Sequence, residues 1–172
     1  MKRLACLAVT TMLLCSAASA ASKSHDHDSR VLEQIEFELC RAEMAMDVDR
    51  IMRLYVPTHS LRVFDMMKPR EYFGAKAFRN DWEGFIAKSV KSIDKCEVSE
   101  IEVETSGDLG ATYYIQHAEF TDKTGKKGAA NTRITHVFRR INGQWLIIHE
   151  HGSYPIDWTT GMGDLLSNNL SH

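Results

Sequence analysis

Long hydrophobic runs are absent from this sequence, which argues against a membrane-spanning segment. The longest, Leu4–Cys15, has 12 residues, whereas a transmembrane helix needs about 20. Lys2 and Arg3 precede this run, and Ala18-Ser19-Ala20 follows it with the spacing of small residues that a signal peptidase recognises. We therefore expect residues 1–20 to be a cleaved signal peptide and the mature protein to be periplasmic or secreted, with no membrane contact after cleavage.

Cysteine is also scarce. Of the 4 cysteines, two lie in the expected signal peptide, and only Cys40 and Cys96 remain in the mature chain. An exported protein meets oxidising conditions, so the two could form one disulfide. A disulfide also requires their Cα atoms to lie within about 7 Å of each other, which a sequence does not reveal. A bridge and a pair of buried thiols therefore both stay open.

An excess of basic charge is missing as well. Without Lys2 and Arg3, the mature chain has 19 basic residues against 23 acidic ones, a net charge of about −4. The basic residues are scattered and are not interleaved with aromatic ones, which excludes nucleic acid as the expected partner. No nucleophile elbow, phosphate loop or dinucleotide fingerprint occurs, which disfavours hydrolase, nucleotide-dependent and redox functions. We expect no cofactor.

The mature chain is long enough for one domain with its own core. We expect a flexible lead-in over residues 21–29, a single domain over 30–157 and a C-terminal tail over 158–172. Apolar residues recur at helical spacing after Asp28, which predicts a first helix capped by that residue. Asp47 is placed to cap a second, short helix, and the segment AKAFRNDWEGFIAK predicts a third.

Residues after Cys96 alternate between apolar and polar, which is typical of β-strands. The order of helices first and antiparallel strands afterwards predicts the α+β class. Asn142-Gly143 is a strong signal for a hairpin with a two-residue turn. Counting outward from this turn places His136 opposite His149, and Ile134 opposite His151. Opposed residues share one face of a sheet, so regular strands would bring these imidazoles together.

The other face of the same hairpin predicts structural contacts. Arg133 and Glu150 become diagonal neighbours that we expect to form a salt bridge. Trp145, on the opposite face, is a further predicted structural residue. Both faces of the sheet are apolar near the turn. One face can be covered by the chain's own helices, and we expect a second subunit to cover the other, giving a homodimer through the sheet.

Four segments resemble a known family: DVDRIMRLYVPTHSLRVFD, YFGAKAFRNDWEGF, GDLGATYYIQ and RITHVFRRINGQWLIIHEHGSYP. They are similar to the SnoaL-like branch of the nuclear transport factor two-like superfamily, over about Val31 to Asp157. The resemblance implies a curved antiparallel or mixed sheet wrapped around N-terminal helices, forming a cone with an internal pocket, usually dimeric. In a kinase association domain of this superfamily, positions similar to His117 and His136 carry pocket arginines, which implies that both histidines face the pocket.

Histidine titrates near neutral pH, so clustered imidazoles suit acid–base catalysis. We expect His149 to carry the proton, His136 to orient it, and Asp65 or His117 to act as a second proton carrier. Hydrogen bonding without catalysis, or a metal site with three imidazole ligands, would use the same cluster; our predicted site contains no metal.

The expected ligand is a small hydrophobic or aromatic molecule, because aromatic side chains fall near the mouth of the implied pocket. The predicted ligand contacts are Tyr55, Phe73, Trp82, Tyr113 and His151. The predicted function is that of a cofactor-independent isomerase, lyase or cyclase for a carbonyl-bearing substrate. The alternative is a non-catalytic periplasmic ligand-binding, dimerisation or assembly module.

Overall fold

The computed structural model describes the backbone of residues 10–167 and the side-chain surroundings of residues 27–167. The helices of this part of the chain are α1 (Thr10–Met44), α2 (Val48–Met52) and α3 (Ala75–Lys88). Its strands are β1 (Arg62–Phe64), β2 (Tyr72–Phe73), β3 (Val90–Ser106), β4 (Leu109–Asp122), β5 (Lys127–Ile141) and β6 (Gln144–Ser153). Within the described range, no helix is both long enough and apolar enough to cross a membrane.

All six strands form one sheet in the order β2-β1-β6-β5-β4-β3. The β1–β6 pair is parallel and the others are antiparallel, so the sheet is mixed. Three register shifts interrupt the β3–β4 ladder, and Glu100 in β3 has a positive φ of 53°. Bulges of this kind bend a strand and increase its twist, which curves the sheet around α1. The predicted α+β class is confirmed.

Two of the three predicted helices have the expected starts. The Asp47 side chain accepts a hydrogen bond from the backbone N–H of Arg50 at 2.9 Å and caps α2. Helix α3 has the predicted bounds. The predicted start of the first helix at Asp28 is wrong, because α1 begins at Thr10 and includes residues 21–29. Asp28 instead binds the Arg140 guanidinium, at 2.5 Å, and the Trp145 indole N–H, at 3.3 Å.

The core lies between α1 and the concave face of the sheet. Leu32 and Leu39 of α1 pack there with Phe138 of β5 and Ile147 of β6, all nearly inaccessible to water. Cys40 in α1 and Cys96 in β3 form a disulfide with Cα atoms 5.6 Å apart, which settles the alternative that the sequence left open. The disulfide therefore ties the central helix to the far edge of the sheet.

The final hairpin has the predicted turn but not the predicted register. Asn142 and Gly143 both adopt positive φ, 51° and 82°, as a two-residue turn of this type requires. The pairing then shifts between Val137 and Phe138, because β6 contains an extra residue, Ile148. A one-residue shift moves every later side chain of that strand to the opposite face.

The register predicted beyond this bulge is therefore wrong. His136 pairs with Glu150 and Ile134 with Gly152, whereas His151 pairs with Thr135. Glu150 thus shares the concave face with His136, and the predicted cluster of imidazoles does not form.

Candidate functional site

A cavity of about 720 Å³ lies between α1, α3 and the concave face of the sheet. Most of its wall is apolar, and it includes residues Leu39, Phe78, Trp82, Phe85, Phe120 and Ile134. The C-terminal segment also reaches it, because Leu165 lines the cavity and its backbone carbonyl accepts a hydrogen bond from the Asn131 N–H at 2.7 Å. A largely apolar cavity of this size with a few polar groups is typical of a small-molecule site.

His136 is a fully buried residue of the cavity wall and lies between two carboxyl groups. Its Nδ1 is 2.9 Å from Glu36 Oε2, and its Nε2 is 3.2 Å from Glu150 Oε2. The second contact is close enough for an ion pair but is not aligned for a hydrogen bond, so Nε2 has no aligned acceptor among the described residues. Thr112 donates a hydrogen bond to Glu36, and the Tyr55 hydroxyl donates one to Glu150 at 2.5 Å.

These contacts set the charge states of His136 and Glu150. Burial alone would lower the pKa of His136, but the charges of Glu36 and Glu150 outweigh it and raise the pKa to about 10. Burial would raise the pKa of Glu150, but the nearby imidazolium lowers it below the usual range. His136 is therefore protonated and Glu150 ionised at neutral pH.

A third carboxyl group, Glu43, lies one helical turn further along the same side of α1 as Leu39 and lines the cavity. The Gln116 side-chain amide donates a hydrogen bond to it at 2.6 Å. Burial and then the negative charge of Glu150 raise the pKa of Glu43 to about 8. Glu43 is thus largely protonated at neutral pH, whereas Glu150 in the same cavity is ionised.

We expect Glu43→Gln to make stability less dependent on pH. The pKa of Glu43 rises from about 4.3 in an unfolded chain to about 8 in the folded one. Its contribution is therefore fully present below about pH 4 and is lost as the pH rises through 8, at up to about 1.4 kcal/mol per pH unit. His136 acts in the same direction above about pH 6.5, so the variant should keep a shallower slope.

Urea unfolding between pH 6 and 8 measures this slope. The free energy of unfolding should fall more steeply with pH in the wild type than in Glu43→Gln, by the equivalent of about one bound proton. Glu97→Gln, which changes an exposed carboxylate of β3, is the matched control and should keep the wild-type slope. Equal slopes for wild type and Glu43→Gln would contradict the assigned protonation of Glu43.

Asp65 follows β1 and lies in a shallower part of the cavity wall. One of its oxygens accepts a hydrogen bond from the Met67 N–H at 2.8 Å. Burial raises its pKa to about 6, and the charges of Glu150 and Asp81 contribute in the same direction. Of the four predicted catalytic residues, Asp65 and His136 therefore line the same cavity.

His117 and Tyr113 lie on the convex face of the sheet, outside the cavity. His117 Nδ1 is 2.7 Å from Asn131 Oδ1, and the Tyr113 hydroxyl donates to Glu102 at 3.1 Å. The expectation that His117 faces the pocket is therefore wrong. Two residues between them, Tyr114 and Gln116, line the cavity instead, and Tyr114 is buried against the His136 ring.

His149 and His151 also lie on the convex face, because of the bulge at Ile148. His149 Nδ1 forms a hydrogen bond with the backbone carbonyl of Arg62 at 2.9 Å. Both imidazole rings meet the Phe64 ring edge to face, with centroids 5.0 and 5.9 Å away. The three-histidine metal site considered from the sequence required His149 beside His136, and the observed register separates them.

The other three predicted ligand contacts, Tyr55, Phe73 and Trp82, have different positions. Trp82 lines the cavity, and Tyr55 is buried behind Glu150. Phe73 is 57 % exposed and packs under the Arg62 guanidinium, 3.7 Å from its ring centroid. It is not part of the cavity wall.

Of the predicted structural residues, Trp145 packs as expected, but Arg133 and Glu150 do not pair. Trp145 is buried, with Arg140 4.5 Å above its ring, as expected for a packing residue. The predicted Arg133–Glu150 salt bridge is wrong, because Arg133 is exposed on the convex face while Glu150 faces the cavity. Glu150 thus belongs to the candidate site.

Sequence reasoning missed Glu36, Glu43 and the position of Glu150. A signal for the first two was present, because Glu36 follows Leu32 by four residues and Glu43 follows Leu39 by four. Such spacing places a carboxyl group on the apolar side of a helix, where it needs a partner. For Glu150 the signal was the unbroken apolar run Leu146–Ile148, which interrupts the alternation of β6.

The curved sheet, the central helix and the buried cavity define a cone of the nuclear transport factor two-like type. The sequence model of the SnoaL-like domain matches residues 33–157. The chain belongs to this family. No curated protein matches the sequence.

Solved structures share this fold at low sequence identity. An NTF2-like protein of unknown function from Pseudomonas putida KT2440 is 22% identical, with a TM-score of 0.74 over 84% of this chain and 98% of that one. A ketosteroid isomerase-like protein from Erwinia carotovora atroseptica SCRI1043 is 18% identical, with a TM-score of 0.63 over 73% and 95%. The association domain of C. elegans CaMKII is 18% identical, with a TM-score of 0.61 over 76% and 98%.

Proposed function

We propose that this chain is a cofactor-free acid–base enzyme, an isomerase or lyase that acts on a small hydrophobic carbonyl compound. The observation that carries the proposal is the pair Glu150 and Glu43 in one apolar cavity. Their surroundings push their pKa values in opposite directions, so one carboxyl group is ionised and the other protonated at the same pH. This division supplies a base and an acid without a metal or a cofactor.

Glu150 is the base in this proposal. It removes a proton from the carbon next to the substrate carbonyl while Glu43 gives its proton to the carbonyl oxygen, leaving an enol. His136 stays protonated and keeps Glu150 ionised before the reaction. Glu36, hydrogen-bonded to Nδ1, orients the imidazole and balances part of its charge. The role predicted for His149 thus passes to Glu150, which the bulge places in the cavity.

The second half of the reaction depends on the substrate. In an isomerisation, Glu150 returns its proton to a different carbon, and Glu43 recovers its proton as the carbonyl re-forms. In an elimination, the proton on Glu150 goes to a hydroxyl group on the next carbon, which leaves as water, and Glu43 again recovers its proton. Both routes restore the starting enzyme and need no oxidant or reductant.

The direct test is proton exchange in heavy water. A panel of small unsaturated ketones and β-hydroxy ketones is incubated with the protein, and deuterium at the carbon next to the carbonyl is followed by NMR. Glu150→Gln should slow exchange and turnover by roughly 10²–10⁴-fold, the usual contribution of a positioned base. Glu119→Gln, an exposed carboxylate of β4, is the control and should match wild type. Unchanged exchange in Glu150→Gln would contradict the proposal.

A non-catalytic ligand-binding or assembly module is the second candidate. It is favoured by the satisfied contacts of the buried carboxylates, since Thr112 and His136 already bind Glu36. The fold similarity to the CaMKII association domain also suits it. Mass spectrometry of a bound ketone distinguishes the two, because a binding module returns it unchanged and without deuterium.

Export and dimerisation remain part of the proposal. Export is supported by the sequence pattern around Ala18-Ser19-Ala20, and a mature protein whose mass shows a first residue other than residue 21 would contradict it.

Dimerisation is supported by the partly apolar convex face, where Tyr113 is 40 % exposed. A monomeric mass by light scattering at micromolar concentration would contradict the dimer.

A further inference from the structure

The carboxyl groups of the cavity have no lysine or arginine beside them among the described lining residues. Elsewhere, acidic side chains pair with arginine, as Glu38 does with Arg50 and Asp49 with Arg79. Five carboxyl groups line the cavity: Glu43, Asp65, Asp81, Asp122 and Glu150. No lysine or arginine is among the described residues that line it.

The one cation of the cavity, His136, is already offset. It lies between Glu36 and Glu150, and its ion pair with the Glu150 carboxylate offsets its charge. Its Nε2, on a side chain that is 1% exposed, lacks an aligned acceptor among the described residues. The deep end of the cavity thus has no positive charge left to attract an anionic ligand.

Asp65 and Asp81 form the shallower, partly exposed acidic pair. Asp81, in α3, accepts a hydrogen bond from the Tyr72 hydroxyl at 2.5 Å. Burial raises the pKa of Asp65, and the negative charges of Glu150 and Asp81 raise it further. Neither forms an ion pair with lysine or arginine in the part of the chain that the structure describes. Two carboxylates so placed attract a cation and repel an anion.

Aromatic rings stand beside this acidic pair. Trp82 and Phe85, from the same helix as Asp81, line the cavity with their ring centroids 6.0 Å apart. Ring faces attract organic cations, and their hydrophobic area accepts the rest of an apolar ligand. The Trp82 Nε1–H is buried without an acceptor among the described residues, which leaves a hydrogen-bond donor for a ligand.

We propose that the cavity selects a hydrophobic ligand that carries a protonated amine, with the amine beside Asp65 and Asp81 and the apolar body against Trp82 and Phe85. Carboxylate-bearing analogues are excluded by the same groups. Such a ligand would be the substrate of the proposed enzyme, and only its role as a substrate rests on the proposed function. As a statement about binding it stands on the charges of the cavity alone.

The test uses three probes that share an indole ring and differ in charge: tryptamine, tryptophol and indoleacetate. Binding to the full chain is measured by isothermal titration at pH 7 and low salt. Tryptamine should bind at least about tenfold more tightly than indoleacetate, a difference of about 1.4 kcal/mol, with tryptophol between them. Raising the salt concentration should weaken tryptamine binding and leave tryptophol binding unchanged.

The double variant Asp65→Asn and Asp81→Asn should reduce tryptamine affinity about tenfold and leave tryptophol affinity unchanged. The matched control replaces Glu97 and Glu104, two exposed carboxylates of β3, with glutamine and removes the same charge. The control should keep the wild-type preference. A double variant that does not fold leaves the wild-type salt series as the deciding measurement.

Three results would overturn the inference: indoleacetate binding as tightly as tryptamine, no tryptamine binding at millimolar concentration, or an unchanged preference in the folded double variant. None of these would disprove the acid–base chemistry, which is tested by exchange in Glu150→Gln. Conversely, unchanged exchange in that variant would leave the charge selection of the cavity intact.

Discussion

Replacing His136 with leucine should lower the free energy of unfolding at pH 7 by about 3–5 kcal/mol, the usual result of breaking a buried ion pair from one side. The imidazolium lies between Glu36 and Glu150, both of which are buried. Its loss leaves two carboxylates facing each other without a cation. Each must then take up a proton or remain charged in an apolar place, and either costs stability.

The stability lost in His136→Leu should be larger at pH 7 than at pH 5. In the wild type, His136 has a raised pKa, so its contribution is complete below about pH 6.5 and is lost as the pH rises through about 10. In the variant, Glu150 loses the imidazolium that lowers its pKa, so it should take up a proton more readily and stability should recover as the pH falls from 7 toward 5. Urea unfolding at a series of pH values measures both effects.

His117→Leu is the matched control for this experiment. It removes an imidazole from the convex face, where the ring is 28% exposed and bonded to Asn131. Its cost should stay below about 1 kcal/mol at every pH. If His136→Leu lost less than its control, or lost the same amount at pH 5 and 7, the ion pairs of the cavity would not hold the fold together.

Removing the disulfide by Cys40→Ser and Cys96→Ser should cost about 4 kcal/mol of stability. The bridge spans 56 residues of sequence, so it restricts the unfolded chain strongly. For a domain of this size, that loss lowers the melting temperature by about 8–16 °C. Since the bridge joins α1 to β3, it also holds the helix that carries Glu36 and Glu43 against the sheet.

Calorimetry with and without a reductant checks this second prediction. Reductant should bring the melting temperature of the wild type down to that of the double variant and should not change the variant. Cys40 is buried, so the reduction needs time at elevated temperature. A wild type that stays at its original melting temperature after complete reduction, shown by thiol labelling, would contradict the expected stabilisation.

Local patterns in the sequence predicted most elements of this fold. Helix α3 was predictable because its apolar stripe is regular, and α2 because Asp47 precedes a short apolar segment that Pro57 follows. The Asn142-Gly143 turn was predictable because few other residue pairs accept two positive φ angles. The family was recognisable because such local signals recur along the whole domain.

The site was less predictable, because it depends on one inserted residue. Ile148 is an ordinary apolar residue, yet as a bulge it moves Glu150 into the cavity and His149 out of it. One partner of Glu150, Tyr55, comes from a part of the chain 95 residues away. Such pairings follow from the packing of the helices into the curved sheet.

Residue order alone thus specified most of the helices and strands, the last turn and the family, because each follows from contacts between near neighbours or from a pattern repeated along the domain. It did not specify which side chains share the cavity. That was decided by the register of two strands and by the helix packed against them, where a shift of one residue exchanges the two faces of a strand. The chemistry of this protein therefore follows from its tertiary structure, in which His136 meets Glu36 and Glu150.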